Sequence, residues 1–237
     1  MQVAEGVHRL GSPFVNFYAI EEGGHLTILD GGVPGYWDQI PRLLSSLGRT
    51  MKDIVAIVHT HSHSDHIGIS ERLRVESGAT AFIHKIEAPT LRGDEKPKAP
   101  QGVMRALLRL QALRIVGHLA ANGGMKLPTV SEVQSYDADE VLDVPGKLRV
   151  VFTPGHSPGH SALLLEQRGV LFSGDALVTR NFRGQTGPRV MDLNADHAEA
   201  RKALDHFQGV EAETMLPGHG EPWRGGIAKA VELAKRF

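Results

Sequence analysis

The sequence predicts an α/β fold, and three observations predict it. Short apolar runs bounded by glycine recur along the chain, which is the mark of buried strands. Between them lie stretches with apolar residues at helical spacing, so strands and helices alternate. Two strands, one in each half, run directly into a histidine-bearing loop: VHTHSHSDH in the first half and FTPGHSPGH in the second. That echo predicts two similar α/β halves packed face to face, with their loops gathered at one edge.

The elements follow in order. FVNFYAI (14–20) and HLTILD (25–30) flank the turn EEGG and read as a hairpin. Residues 35–47 read as a helix, with Trp37, Ile40, Leu43, Leu44 and Leu47 on one side. DIVAIV (53–58) reads as a buried strand that delivers the chain into the histidines; IGISERLRVES is a helix and ATAFIH a strand. LRGDEKPKAPQG is charged, contains proline and reads as exposed, and 103–124 reads as a long helix carrying Arg105, Arg109 and Arg114. That helix packs on the domain's own core, or serves as a lid or dimer face where an arginine meets an anionic substrate. VLDV, LRVVFTPG (148–155), SALLLEQ (161–167) and VLFSGD (170–175) read as strands. A helix capped by the Asn194 side chain runs to about Phe207, and IAKAVELAKRF closes the chain as another. The expectation is a single domain over 1–237 with a helical insert at about 86–134.

Composition narrows the function classes. The chain has 237 residues, 41% hydrophobic and 22% charged, enough for a sizeable core. Lys and Arg total 26 against 27 Asp and Glu, a net charge of -1, which is poor footing for a nucleic-acid partner. The absence of cysteine excludes disulfides and thiolate metal ligands and agrees with a cytoplasmic location. MQVAEGVHRLG lacks the basic start and apolar run of a signal peptide. No apolar stretch reaches the length of a membrane span, so no membrane partner is expected.

The histidines carry the chemistry. His59, His61, His63, Asp65 and His66 fall within eight positions, and His156, His160, Asp175 and His219 sit at strand ends or in glycine-rich turns downstream. Imidazole and carboxylate donors without thiolates suit zinc, iron or manganese. His61 and His63, two apart in an extended segment, point to one side and can grip one ion. Asp65 and His66 diverge and suit a neighbouring ion. The two oxygens of a carboxylate such as Asp175 can bridge both, and two such ions sharing a water lower its pKa toward neutrality.

With these residues in hand, the chain resembles the metallo-β-lactamase-fold superfamily. The signature His-x-His-x-Asp-His is met by His61, His63, Asp65 and His66, and TPGHSPGH, SGD and PGHG follow in order. The opening hairpin ending in LDGG is similar too, so the resemblance covers nearly the whole chain. It implies an αβ/βα four-layer sandwich, two mixed sheets flanked by helices, with two divalent ions at one edge, zinc first and iron or manganese as alternatives. Carried over, one ion takes His61, His63 and His156, the other takes Asp65, His66 and His219, and Asp175 bridges. Asp30 is placed to hydrogen-bond a metal-binding histidine, and His59 and His160 are candidates to orient ligands. His8, His25, His84, His118, His197 and His206 read as structural.

Departures from family patterns narrow the branch. Zinc β-lactamases usually carry Cys or Ser where this chain has Asp175. Superfamily nucleases add domains that do not fit here. Glyoxalase-II-like thioesterases share all seven ligands but continue into a helical region, whereas 17 residues follow PGHG here. Lactonases share the ligands and often use a tyrosine; this chain has Tyr18, Tyr36 and Tyr136. The resemblance implies a hydrolase in which a bridging hydroxide attacks a lactone, ester or thioester carbonyl, or an amide, with Asp65 positioning the water and carrying its proton. The substrate is a small molecule, and the apolar insert allows a homodimer. The alternatives are a mononuclear-iron oxygenase similar to persulfide dioxygenases, a phosphodiesterase of the same fold, or a binding module that kept the fold.

Overall fold

The computed structural model describes residues 1–101 and 110–236. A seven-stranded sheet is built in chain order from β1 (Gln2–Ala4), β2 (Val7–Gly11), β3 (Asn16–Glu22), β4 (His25–Leu29), β5 (Ile54–Val58), β6 (Thr80–His84) and β7 (Gln134–Tyr136). β1 to β4 form an antiparallel meander, and β4 to β7 run parallel. The predicted hairpin is β3–β4, and its turn needs glycine because Gly23 and Gly24 have φ of +58° and +84°. A four-stranded sheet holds β8 (Arg149–Phe152), β9 (Ser161–Leu165), β10 (Val170–Gly174) and β13 (Thr214–Pro217), in the order β13-β10-β9-β8. β11 (Val178–Arg180) and β12 (Thr186–Arg189) pair as a separate ribbon.

The helices are α1 (Gln39–Leu47), α2 (Ser70–Ser77), α3 (Ala88–Arg92), α4 (Leu110–Ala121), α5 (His197–Lys202) and α6 (Ile227–Lys235). Side-chain alternation along the strands sorts the layers. Ile28 of β4 and Ile57 of β5 meet Ile40, Leu43 and Leu44 of α1 and Leu73 of α2. Their neighbours Leu29 and Val58 turn the other way, onto Leu163, Leu165 and Phe172 of the second sheet. Ala162, Leu164 and Leu171 on that sheet's far face meet Leu204, Phe207, Ile227 and Ala230. The result is helix, sheet, sheet, helix: the four-layer sandwich the sequence predicts.

Strand direction places the loops. β4 and β5 are parallel, and they end just before Asp30 and before the 59–66 segment. β10 is parallel to β13 and antiparallel to β9, which is antiparallel to β8, so β8, β10 and β13 point one way. They end before His156, Asp175 and His219. Every candidate ligand therefore follows the carboxyl end of a strand, where loops of α/β sheets gather.

Several expectations change. The halves are less alike than the echo predicts, because one sheet has seven strands and the other four. VLDV makes only an isolated bridge, Val141 with Arg149. The β11–β12 ribbon escapes a pattern reading because TRNFRGQTGPR is polar and lacks alternation. Asn194 does not cap α5; Asp196 does, its carboxylate accepting from the Ala198 and Glu199 N–H groups at 3.0 Å. The helix predicted at 103–124 is helical over Leu110–Ala121, and 102–109, with Arg105 and Arg109, lie outside the described residues. Ala112 and Ile115 are buried and Leu119 packs on the first core, so this part of the helix covers the domain's own interior, while Arg114 is exposed. Among the described residues no helix is long and apolar enough to cross a membrane.

Leu163 lies fully buried between the sheets. Leu163→Ala is expected to cost about 2–5 kcal/mol in denaturant unfolding. A loss below about 1 kcal/mol would contradict its place in that core.

Candidate metal centre

Seven side chains from four loops meet at this edge. The nitrogens of His61 (Nε2) and His156 (Nε2) lie 3.0 and 2.9 Å from His63 Nδ1. Asp175 Oδ2 is 3.3 Å from His156 Nε2 and 3.1 Å from His219 Nε2, and its Oδ1 is 3.5 Å from His66 Nε2. Asp65 Oδ2 is 3.6 Å from His219 Nε2. Three groups have donor atoms mutually within 4.8 Å: His61, His63 and His156; His61, His66 and Asp175; Asp65, His66 and His219. The first and third contain the residues that the resemblance implies for its two ions, and Asp175 falls in the second, which shares His61 with one and His66 with the other.

The donor set fits divalent cations. His66 Nε2 and Asp175 Oδ1 are buried with no hydrogen-bond partner, though both point into the cluster. Buried polar atoms are normally satisfied, and two such atoms aimed at one small volume match a cation that each would ligate.

The surroundings hold the candidate ligands by their far sides. His66 Nδ1 is 2.9 Å from Asp30 Oδ2, while Asp30 Oδ1 accepts from the Thr60 N–H at 2.8 Å. Asp30 reaches both from a left-handed backbone, φ +62°, a strained conformation that a functional loop retains. Thr60 Oγ1 is 3.0 Å from His61 Nδ1. His156 Nδ1 meets Asn194 Oδ1 at 3.2 Å, and His219 Nδ1 meets the Phe14 carbonyl. His160 Nε2 accepts from the Asp175 N–H at 2.9 Å, so it holds the backbone of the central aspartate rather than the side chain of its sequence neighbour His156. His59 does not act on a ligand side chain. Its ring nitrogens are taken by Ser70 Oγ at 2.8 Å and the Phe82 carbonyl at 3.0 Å, which clamp β5 to its neighbours.

Sequence reasoning misses Thr60, Asn194 and Glu87 as parts of the site. The Asn194 side chain, rather than capping a helix, joins His156 to the Met191 carbonyl. Glu87 accepts from Ser62 and Gly159, contacts 25 and 72 residues away that no local pattern announces.

Burial and charge divide the cluster. Burial, aided by neighbouring imidazoles, holds His61 well below the usual histidine range. Burial also lowers His156 and His63, against the pull of nearby aspartates. Burial would lower His66 too, but Asp175, Asp30 and Asp65 outweigh it and raise it to about 10. Asp175 and its hydrogen bond likewise raise His219 against burial. Burial would raise Asp175, yet His219, His66 and His156 hold it well below the carboxylate range. Burial thus disfavours protons on His61, His63 and His156, while the neighbouring carboxylates favour them on His66 and His219.

A cavity of about 410 Å³ opens over the centre, with His63, Asp65, Asp175 and His219 in its floor. Phe182, Leu193, Met125 and Leu127 supply apolar walls. Pro97 to Pro100 form part of the lining, so the charged segment that reads as merely exposed borders the site. No tyrosine is among the described lining residues. Tyr18 instead donates to the Pro217 carbonyl at 2.7 Å and steadies the turn before His219.

Comparison with known proteins agrees with this architecture. The profile of the Metallo-beta-lactamase superfamily matches residues 10–219. A probable metallo-hydrolase of Bacillus subtilis (strain 168), YflN, is 27% identical over 253 residues, covering 100% of this chain and 92% of its own length. An atrochrysone carboxyl ACP thioesterase of Aspergillus fumigatus is 27% identical over 208 residues, covering 86% of this chain and 50% of its own. The crystal structure of a metallo-beta-lactamase family protein from Thermus thermophilus superposes with a TM-score of 0.71 at 25% identity, covering 98% of this chain and 79% of that one.

Two outcomes follow from the geometry. A Cβ at Gly218 would stand 2.3 Å from Asp175 Oδ1 and 2.7 Å from His66 Cε1. Gly218→Ala is expected to weaken cation binding at least about tenfold, measured by chelator competition; wild-type affinity would contradict the packing. A cation must also displace the proton that the neighbouring aspartates hold on His66, so affinity is expected to fall as pH drops below about 10, with proton release on binding. Titration calorimetry in buffers of different ionisation enthalpy checks this, and pH-independent binding would refute it.

Proposed function

The chain belongs to the metallo-beta-lactamase superfamily and is a hydrolase of that fold; from this premise we propose that it cleaves a lactone, ester or thioester using two divalent cations, zinc first. The observation that carries the reading is the convergence of seven nitrogen and oxygen donors at the base of a largely apolar cavity, five of them, His63, Asp65, His156, Asp175 and His219, lining it. In this reading His61, His63 and His156 hold one cation, Asp65, His66 and His219 hold the other, and Asp175 serves both. The bound pair supplies Lewis acidity for the substrate carbonyl and makes water acidic enough to attack it near neutral pH.

The chain's own groups do the rest. Asp65 is partly exposed to the cavity, while His66 and Asp175 are buried beneath it. It is therefore the carboxylate placed to take a proton from the attacking water and return it to the departing alcohol or thiol. One Asp65 oxygen lies 3.6 Å from His219 Nε2. Phe182, Leu193, Met125 and Leu127 give an acyl group an apolar wall. A thioester fits the name of the Aspergillus relative, and walls without tyrosine among the described lining residues give less support to a tyrosine-assisted lactonase route. The partner is then a small molecule.

Asp65→Ala is expected to lower kcat about 100- to 10,000-fold, and His61→Ala and Asp175→Ala to abolish turnover in folded protein. A panel of lactone, ester, thioester, β-lactam and phosphodiester substrates reads the outcome. Wild-type rates in all three variants would refute the hydrolytic centre.

A further inference from the structure

Glu87 immediately precedes α3, outside both histidine loops, yet it is only 3% exposed and its carboxylate faces them. Oε2 accepts from the Ser62 N–H at 3.2 Å and from the Ser62 hydroxyl. Oε1 accepts from the Gly159 N–H at 2.8 Å. Ser62 stands between His61 and His63, and Gly159 stands between His156 and His160 in sequence. One carboxylate thus ties the first ligand loop to the second.

The residue type matters. Burying a carboxylate is costly unless its oxygens are hydrogen-bonded. Here they satisfy two buried backbone amides that would otherwise lack partners. A carboxylate accepts at both ends, whereas a glutamine presents a donor at one of them. The contact also demands glycine opposite, since a Cβ at Gly159 would lie 2.7 Å from Glu87 Cγ.

We infer that Glu87 is a positioning residue of the metal centre: it braces the His61–His63 segment against the His156 loop and sets the spacing of their three nitrogens. That spacing is the 2.9 and 3.0 Å separation about His63 Nδ1. The inference rests on the reading of these histidines as ligands. Groups that touch a ligand only through its neighbours still tune affinity, because they fix the ring positions before the cation arrives.

The test compares Glu87→Ala, Glu87→Gln and Ser62→Ala with wild type, and His61→Ala as the control for the ligand reading. Zinc affinity is measured by chelator competition, the visible spectrum is recorded on cobalt-loaded protein, and melting is followed for each. Glu87→Ala is expected to bind zinc about 10- to 100-fold more weakly, with an altered cobalt spectrum. Glu87→Gln and Ser62→Ala, which each keep part of the brace, shift both readouts less and in the same direction. Wild-type affinity and spectrum with only a lower melting temperature would overturn the inference, leaving Glu87 a prop of the fold. If Glu87→Ala does not fold, the same result in both milder variants overturns it. Wild-type zinc affinity in His61→Ala would overturn the ligand reading itself, and this inference with it, whereas loss in His61→Ala alone overturns only the role of Glu87.

Discussion

The buried Asp175 carboxylate faces His66, His156 and His219 at 3.1 to 3.5 Å. An isolated carboxylate in such a place would be driven toward its neutral form, and clustered imidazoles would shed their protons. Each compensates the other, and what remains unsatisfied is a set of lone pairs converging on one small volume. The rest of the molecule serves that convergence. Two sheets aim the carboxyl ends of their strands at one edge, and polar side chains behind that edge hold each ring. Asp30 accepts this cost in its own backbone, with φ at +62°, to reach His66 and Thr60 together.

The architecture joins two different sources of order. The layers come from strand alternation, with Ile28 and Leu29 sending side chains to opposite cores. The centre comes from loops, whose positions depend on long-range hydrogen bonds rather than apolar burial. Asn16 shows the link: its amide donates to the Pro217 and Gly220 carbonyls at 2.9 and 2.8 Å, fastening the first sheet to the turn that carries His219. A substrate held by the apolar walls would therefore meet ligands fixed from both halves of the sandwich.

Much of this is legible in the sequence, for physical reasons. His61, His63, Asp65 and His66 are close in the chain, and each later ligand sits where a strand pattern breaks at glycine. Buried strands such as β5 and β10 announce themselves as apolar runs. Other features have no local signal. The β11–β12 ribbon is formed from a polar stretch, and Asn194 looks like a cap because its neighbours do begin a helix, from Asp196. Glu87 is an acidic residue in an ordinary turn until the loops of Ser62 and Gly159 close around it. His59, close in sequence to the ligands, turns instead toward Ser70 and Phe82, although strict alternation would put it on the side of His61 and His63.

The central claim is that these donors hold a pair of hydrolytic cations. Quantitative metal analysis of the purified protein, with oxygen uptake followed on thiol-derived substrates, tests it most directly. The account predicts about two divalent ions per chain and no substrate-dependent oxygen consumption. A single iron with oxygen uptake, or a protein that retains no metal under chelator-free purification and binds none when it is supplied, would contradict it.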